Sequence, residues 1–127
     1  MASVTNLFGN NLLSLADARM VYSERRTAIL AQDIANADTP GFVARDLPDF
    51  ASLLQGMRLA PASSGASLQQ PRTAPRARRV PGPMTPDGNA VDVEQTLAKL
   101  ADTDSAQRLA SEIYSKYLNF YRIAVGR

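Results

Sequence analysis

The chain has 127 residues, 45% of them apolar, and a net charge of +2. That length allows one domain whose core must draw on most of the chain, and the apolar share argues against wholesale disorder; so small a charge argues against a general nucleic-acid or membrane binder. Neither cysteine nor histidine is present, which removes thiolate chemistry, Cys/His zinc sites and histidine acid–base work.

The first basic side chain is Arg19, and no continuous apolar stretch precedes it; this is not the pattern of a cleavable secretory signal. Residues 7–35 read as one amphipathic helix. The row Leu13, Ala16, Met20, Ser23, Thr27, Leu30, Ile34 follows the alternating three- and four-residue spacing of a coiled-coil seam, widened by Leu12, Leu15 and Ile29. From Asn11 to Ala35 such a helix is about 37 Å long, at ~1.5 Å per residue. Ser23 and Thr27 make its seam weak in the middle.

The helix is expected to stop within residues 35–42. Asn36 suits a left-handed residue after the helix end, and Thr39, preceding proline, is pushed towards extended geometry. Pro40-Gly41 fits the two central positions of a type II turn. Asp49 to Leu54 reads as a short capped helix ended by Gly56. Residues 57–90 hold six prolines and read as an extended loop with room for one short strand pair. Asp87-Gly88-Asn89 is the expected tight turn that closes it.

Asp92 then reads as the N-cap of the strongest helix, with Gln95 three residues on as in a capping box. From Val93 to Val125 nothing breaks the helix, a length of about 50 Å at ~1.5 Å per residue. In its C-terminal half Leu109, Ala110, Ile113, Tyr114, Tyr117, Leu118, Phe120, Tyr121, Ile123, Ala124 and Val125 cover an arc of roughly 220°, against ~100° for an ordinary surface helix. Glu112 and Lys116 are spaced to pair on the remaining face. A surface that wide needs more than one neighbour.

No run of residues has the spacing of a phosphate loop or a helical metal site, and the carboxylates are scattered: Asp102 and Asp104 mid-helix, Asp46 and Asp49 near turns. They read as solvated faces and caps, so neither enzyme chemistry nor a cofactor is indicated. Positive charge is concentrated instead. From Met57 to Pro86 there are five arginines (Arg58, Arg72, Arg76, Arg78, Arg79) and no acid, which leaves nine basic and twelve acidic residues elsewhere, a net of −3. Arg72, Arg76, Arg78 and Arg79 are the candidate partner-binding loop. No aromatic interleaves them, so the stacking half of a single-strand nucleic-acid binder is missing; an acidic protein surface is the better match.

The expected fold is mainly α: two long terminal helices in an antiparallel, coiled-coil-like hairpin with the Pro/Arg-rich loop between them. The expected division is 1–56, 57–90 and 91–127 within one structural domain. The candidate assembly faces are Leu13, Met20, Leu30 and Ile34 on the first helix. On the second they are Leu97, Leu100, Leu109, Ile113, Tyr114, Tyr117, Leu118, Phe120 and Tyr121. Either the hairpin closes as a loose monomer with the short helix as third member, or copies of itself complete it, as in open head-to-tail assemblies.

The stretch Asp33-Ile34-Ala35-Asn36-Ala37-Asp38-Thr39-Pro40-Gly41-Phe42 resembles the signature that ends the first helix of flagellar axial proteins. Val43 to Phe50, Asp87 to Asp92 and the helix from Glu94 to Gly126 resemble the flagellar basal-body rod protein family, its proximal rod members in particular. About two-thirds of the chain carries this resemblance. The contiguous Thr39-Pro40-Gly41 and the short middle both favour a proximal rod subunit over subunits with large inserted β domains. The chain departs from the family pattern at Ser105, usually apolar, and Gln107, usually tyrosine, which weakens the second helix's seam there. The arginine-rich loop has no counterpart in the pattern.

The resemblance implies a structural rod subunit exported without signal cleavage, placed in the periplasmic rod and partnered by itself, other rod subunits, the adaptor FliE, the MS ring and the export gate. It makes Ala35 to Phe42 the signature turn, and Phe8 and Leu12 the candidate segment shown to the export gate, unless these two only start a packed helix. A small helical adaptor or regulator with a basic loop is the alternative reading.

Overall fold

The computed structural model describes residues 4–58, 75–82, 84–86 and 88–126, with side chains described from residue 12 onward in the first helix and up to residue 55 in the second. Five elements follow in order: α1 (Val4–Ala35), β1 (Arg45–Asp46), α2 (Phe50–Arg58), β2 (Arg78–Arg79) and α3 (Val93–Val125). The chain is mainly helical, and α1 packs along α3. The last turns of α1 and the first turns of α3 line one small cavity through Leu30, Asp33, Thr96 and Lys99, so the two helices run antiparallel.

Their contact is a heptad seam of small residues. Ala16, Ser23 and Leu30, each seven apart, are buried on α1, as are Thr96, Thr103 and Ala110 on α3. Five of these six side chains are Ala, Ser or Thr, which lets the helix axes approach closely and explains why the stripe looks weak in the sequence. The threonine hydroxyls satisfy themselves: Thr96 Oγ1 donates to Asp92 O and Thr103 Oγ1 to Lys99 O, both at 2.7 Å. Ser23 is fully buried, and its Oγ finds no hydrogen-bond partner among the described residues.

α1 starts earlier than the sequence suggests, running through Gly9 from Val4. α3 has the expected bounds. Asp92 is its N-cap, accepting at Oδ1 from Gln95 N–H, and Gly126 caps the C-terminus in the left-handed region at φ +74°. Two expectations about helix ends fail. Asn36 is not left-handed, since no non-glycine residue among those described has positive φ. Its backbone N–H still makes the helical bond to Gln32 O at 3.1 Å, and its side-chain Nδ2 donates to the same oxygen at 2.8 Å. Nor does Gly56 stop α2, which continues to Arg58.

The turn after α1 has the expected form. Phe42 N–H donates to Thr39 O, and Gly41, third of the four residues, sits at φ +76°, as a type II turn requires. The strand pair of the middle region is antiparallel, with Arg45 opposite Arg79 and Asp46 opposite Arg78. Its first strand thus precedes the proline-rich stretch, and a parallel bridge from Val43 to Ala90 binds the turn segment to the approach to α3. Thr85 closes the second turn, its carbonyl accepting from Gly88 N–H and its N–H donating to Asn89 O. Asp87 and Arg72 lie outside the described residues. Ser105 is exposed and Gln107 half-buried. Gln107 falls in line with the half-buried Leu100 and Tyr114 beside the 96-103-110 row, so the departure at 107 lies on the flank of the closed seam and the one at 105 lies away from it. Among the described residues the exposed ion pair at helical spacing on α3 is Asp104–Arg108 at 2.9 Å, where the sequence pointed to Glu112–Lys116.

Two substitutions test this picture by thermal or denaturant unfolding. Gly41→Val should destabilise by about 1–2 kcal/mol, because a side chain there must adopt left-handed geometry, whereas Gly82→Ala, in open space without positive φ, should be silent. Ser23→Ala should stabilise by about 1 kcal/mol, since it removes a buried hydroxyl that lacks a partner.

Candidate assembly surface

The turn folds the chain back along α1, and the returning segment delivers Asp46 into a partly buried knot. Arg26 of α1 binds it through two parallel 2.8 Å hydrogen bonds, Nε to Oδ1 and Nη2 to Oδ2. Lys99 Nζ of α3 lies 3.5 Å from Oδ2, and Leu47 N–H donates to Oδ1 at 2.8 Å. One carboxylate therefore joins α1, β1 and α3. Burial works to raise the Asp46 pKa, but Arg26, the Leu47 N–H and Lys99 together hold it below the ordinary value of 3.8. The sequence reading treated Asp46 as a solvated turn carboxylate; the structure overturns that, because the turn brings it against two cations from distant elements.

Asp33, one turn before the end of α1, is the second carboxylate missed. It is 2% exposed and accepts Arg45 N–H at 3.0 and 3.3 Å from its two oxygens. Burial pushes its pKa above 3.8, outweighing that hydrogen bond. Tyr22 continues the join on the far side. It is buried, donates its hydroxyl to Pro48 O at 2.9 Å, and packs against Phe50 at 5.2 Å between ring centroids. Arg19 lies over the Phe50 ring at 4.7 Å, so α2 is held to α1 by an aromatic pair under a cation.

Around this frame the sequence-chosen residues separate into two groups. Leu30 is 1% exposed and is consumed by the intrachain seam, while Leu13, Met20, Ile34, Leu100, Tyr114, Tyr117 and Leu118 are half-buried. Leu97, Leu109, Ile113, Phe120 and Tyr121 are exposed, Leu109 at 60% and Phe120 at 68%, as is Ile123 at 76%. The exposed set holds an order the sequence reading did not resolve. Leu109, Ile113, Lys116, Phe120 and Ile123 repeat at spacings of four, three, four and three residues, a second heptad row about 100° around α3 from the closed seam. The signature turn is mostly exposed at Ala35, Asp38, Thr39, Pro40 and Gly41, with Asn36, Ala37 and Phe42 half-buried. Leu12 is exposed, and the Phe8 side chain lies outside the described ones. Arg76, Arg78 and Arg79 are all exposed. Among the described residues no group of His, Cys, Asp or Glu could hold a metal ion, and no helix is long and apolar enough to cross a membrane.

One seam closed and a second left open define a coiled-coil-type helical hairpin protein. No protein-family model matches the chain. Curated relatives do: it is 34% identical over 108 residues to the flagellar basal body rod protein FlgB of Salmonella typhimurium, covering 74% of this chain and 78% of that one. It is 38% identical over 92 residues to the proteins of the same name from Yersinia enterocolitica and Escherichia coli K12, covering 61% of this chain and 66% of each of those. The chain therefore belongs to the flagellar basal body rod protein FlgB family, although the stretch matched to the Yersinia and Escherichia proteins spans just under two thirds of their length.

The knot makes a pH prediction. The stability carried by Asp46 is present above about pH 3.8 and lost as pH falls through its lower folded value, whereas that of Asp33 is present below pH 3.8 and lost as pH rises through its higher one. Unfolding free energy should therefore peak on the acid side of neutrality. Asp33→Asn should remove the loss on the high-pH side of the peak. Asp46→Asn should flatten the low-pH limb and cost about 2 kcal/mol at neutral pH, the scale of a charge-assisted hydrogen bond.

Proposed function

We propose that the protein is a structural subunit of the flagellar basal-body rod, polymerising through its two long helices into the shaft that transmits motor torque. The observation that carries this is the open heptad row on α3. A solvent-exposed stripe of Leu109, Ile113, Phe120 and Ile123 at coiled-coil spacing, interrupted once by Lys116, is unfavourable in a lone chain and becomes favourable once a helix of a neighbour covers it. Membership of the FlgB family agrees with it.

In this reading the closed seam holds the subunit's own hairpin, and the open one recruits the next subunit or another rod protein. Catalysis plays no part. The residues cluster into helical seams, and the partly buried carboxylates are spent on structural ion pairs and backbone donors. The rod adaptor FliE, the MS ring and the export gate are the neighbours at the base of the assembly. The subunit reaches the periplasmic rod without signal cleavage, with Phe8 and Leu12 offered to the gate. The signature turn matters to assembly through its fold: it sets Asp46 and so the angle at which α1 and α3 leave the knot.

The test separates folding from assembly. Phe120→Asp and Ile123→Asp alter side chains that are 68% and 76% exposed. Both variants should keep the monomer's thermal stability within about 0.5 kcal/mol, as surface changes do, while the strain carrying either loses rod assembly and motility. Normal swimming in both strains would sink the proposal.

A further inference from the structure

Two groups of like charge stand out among the exposed side chains. On the acidic side Asp46 is taken by Arg26 and Lys99, and Asp104 by Arg108. Asp33 accepts from Arg45 N–H and Asp92 caps α3. Glu94 lies in the first turn of α3, where the helix dipole favours an acid. Asp102 and Glu112 each have a lysine at helical spacing on α3, Lys99 and Lys116, although neither couple closes to an ion pair among the described residues. Asp38 and Asp49 stand singly near turns. Asp17 and Glu24 remain. Both are exposed, seven residues apart on α1, with no Lys or Arg three or four positions away on either side. They share one helix face about 10 Å apart along the axis, and Arg25 points about 100° away from Glu24.

On the basic side Arg25, Lys116 and Arg122 are exposed and stand apart from one another. Arg45, Arg76, Arg78 and Arg79, also exposed and in no ion pair among the described residues, are gathered on and beside the strand pair. The strand register sets Arg45 directly opposite Arg79, a like-charge arrangement that costs stability on its own. Arg78 stands opposite Asp46, but the Asp46 oxygens are committed to Arg26, Lys99 and Leu47 N–H. The backbone of Arg45 is fixed at Asp33 by its N–H, so the two-strand ribbon presents its cations from a rigid base. It makes no ion pair with its own chain's acid stripe among the described residues. Counted from Asp33, which holds the Arg45 N–H, Glu24 and Asp17 lie nine and sixteen residues back along α1, about 13 and 24 Å.

We propose that the arginine ribbon of one copy, Arg45 with Arg79 at its centre, docks on the Asp17–Glu24 stripe of a second copy. This rests on the assembly reading and gives it a direction. The end of one subunit's α1 meets the middle of the next subunit's α1, a head-to-tail contact that generates an open assembly instead of a closed dimer. Outside the arginine-rich stretch the chain has a net charge of −3, so a second copy offers this ribbon a surface of the opposite sign.

Two experiments on the full chain decide it. The chain has no cysteine, so subunits carrying Arg79→Cys alone and Glu24→Cys alone, co-expressed in the motile strain and oxidised mildly, can join only between copies. A disulfide dimer that requires both variants is expected in isolated basal bodies, and its absence from intact basal bodies overturns the contact. In parallel, Arg45→Glu/Arg79→Glu and Asp17→Arg/Glu24→Arg should each reduce rod assembly about tenfold or more, and combining all four in one chain should restore it to near the starting level, as expected when attraction replaces repulsion. Arg45→Lys/Arg79→Lys should assemble normally, and circular dichroism should show unchanged helix content throughout. Failure of the four-residue swap to rescue, or normal assembly of either reversed pair, overturns the proposal. Failure of the rod reading itself shows separately, as normal rods and motility in a strain lacking the chain.

Discussion

Arg26, Asp46 and Lys99 belong to three elements that share no local sequence, and the Asp46 carboxylate is the point at which they meet. Taking that charge out of water carries a cost that is recovered only because the guanidinium binds both oxygens and a backbone N–H adds a third bond. Once Asp46 is placed, much else is determined. Asp33 receives Arg45 N–H, β1 lies where β2 can pair with it, and Pro48 O reaches the hydroxyl of Tyr22. The turn at Pro40-Gly41 is the device that makes this possible, since it reverses the chain within four residues and sends β1 back along the helix it has just left. A hairpin with only a helix–helix seam could slide by a heptad; one pinned at Asp46 cannot.

That pinning explains how the seam can be built from small residues. Ala16, Ser23, Thr96, Thr103 and Ala110 bury little apolar surface, so their contribution per residue is modest. What they supply is close approach, and with it a defined axis separation for two helices more than thirty residues long. Apart from Leu30 in the seam and the half-buried residues that flank it, large apolar side chains also stand on the outer row of α3, where Leu109, Phe120 and Ile123 are mostly exposed and do nothing for the lone subunit. A sequence selected only for monomer stability would reverse that distribution, with leucines inside and polar residues outside.

Much of this was legible from the sequence because it depends on local chemistry. The bounds of α3 follow from an Asp92 cap, an unbroken run and Gly126. The turn follows from what proline and glycine do to φ, and the heptad row of α1 from spacing alone. The failures share a physical cause. Asp46 was read as solvated, and Asp33 was given no role of its own beyond the signature stretch, because the partners of both are distant in sequence; they are 20 and 12 residues away, on segments that only the folded turn brings near. Asn36 was expected to end the helix in left-handed geometry; instead its N–H and its side chain both donate to Gln32 O, and the left-handed residue comes later, at Gly41. The open row on α3 was visible as an arc too wide for one neighbour. It could not be split into two seams until the burial of Thr96, Thr103 and Ala110 showed which direction α1 occupies.

The same separation of near and far accounts for the arginine-rich strand. Two-residue strands contribute few hydrogen bonds, and setting arginines opposite one another weakens such a pair further. It persists because its first strand is held from outside the pair: Arg45 N–H by Asp33, Asp46 by Arg26 and Lys99, and the segment before it by the Ala90 N–H bond to Phe42 O. The ribbon is thus carried by the knot and not by its own cross-strand contacts. That leaves its side chains free of any structural duty within the chain, and a cluster of cations that the fold goes to some expense to hold together is most simply understood as facing a charge that the lone subunit does not contain.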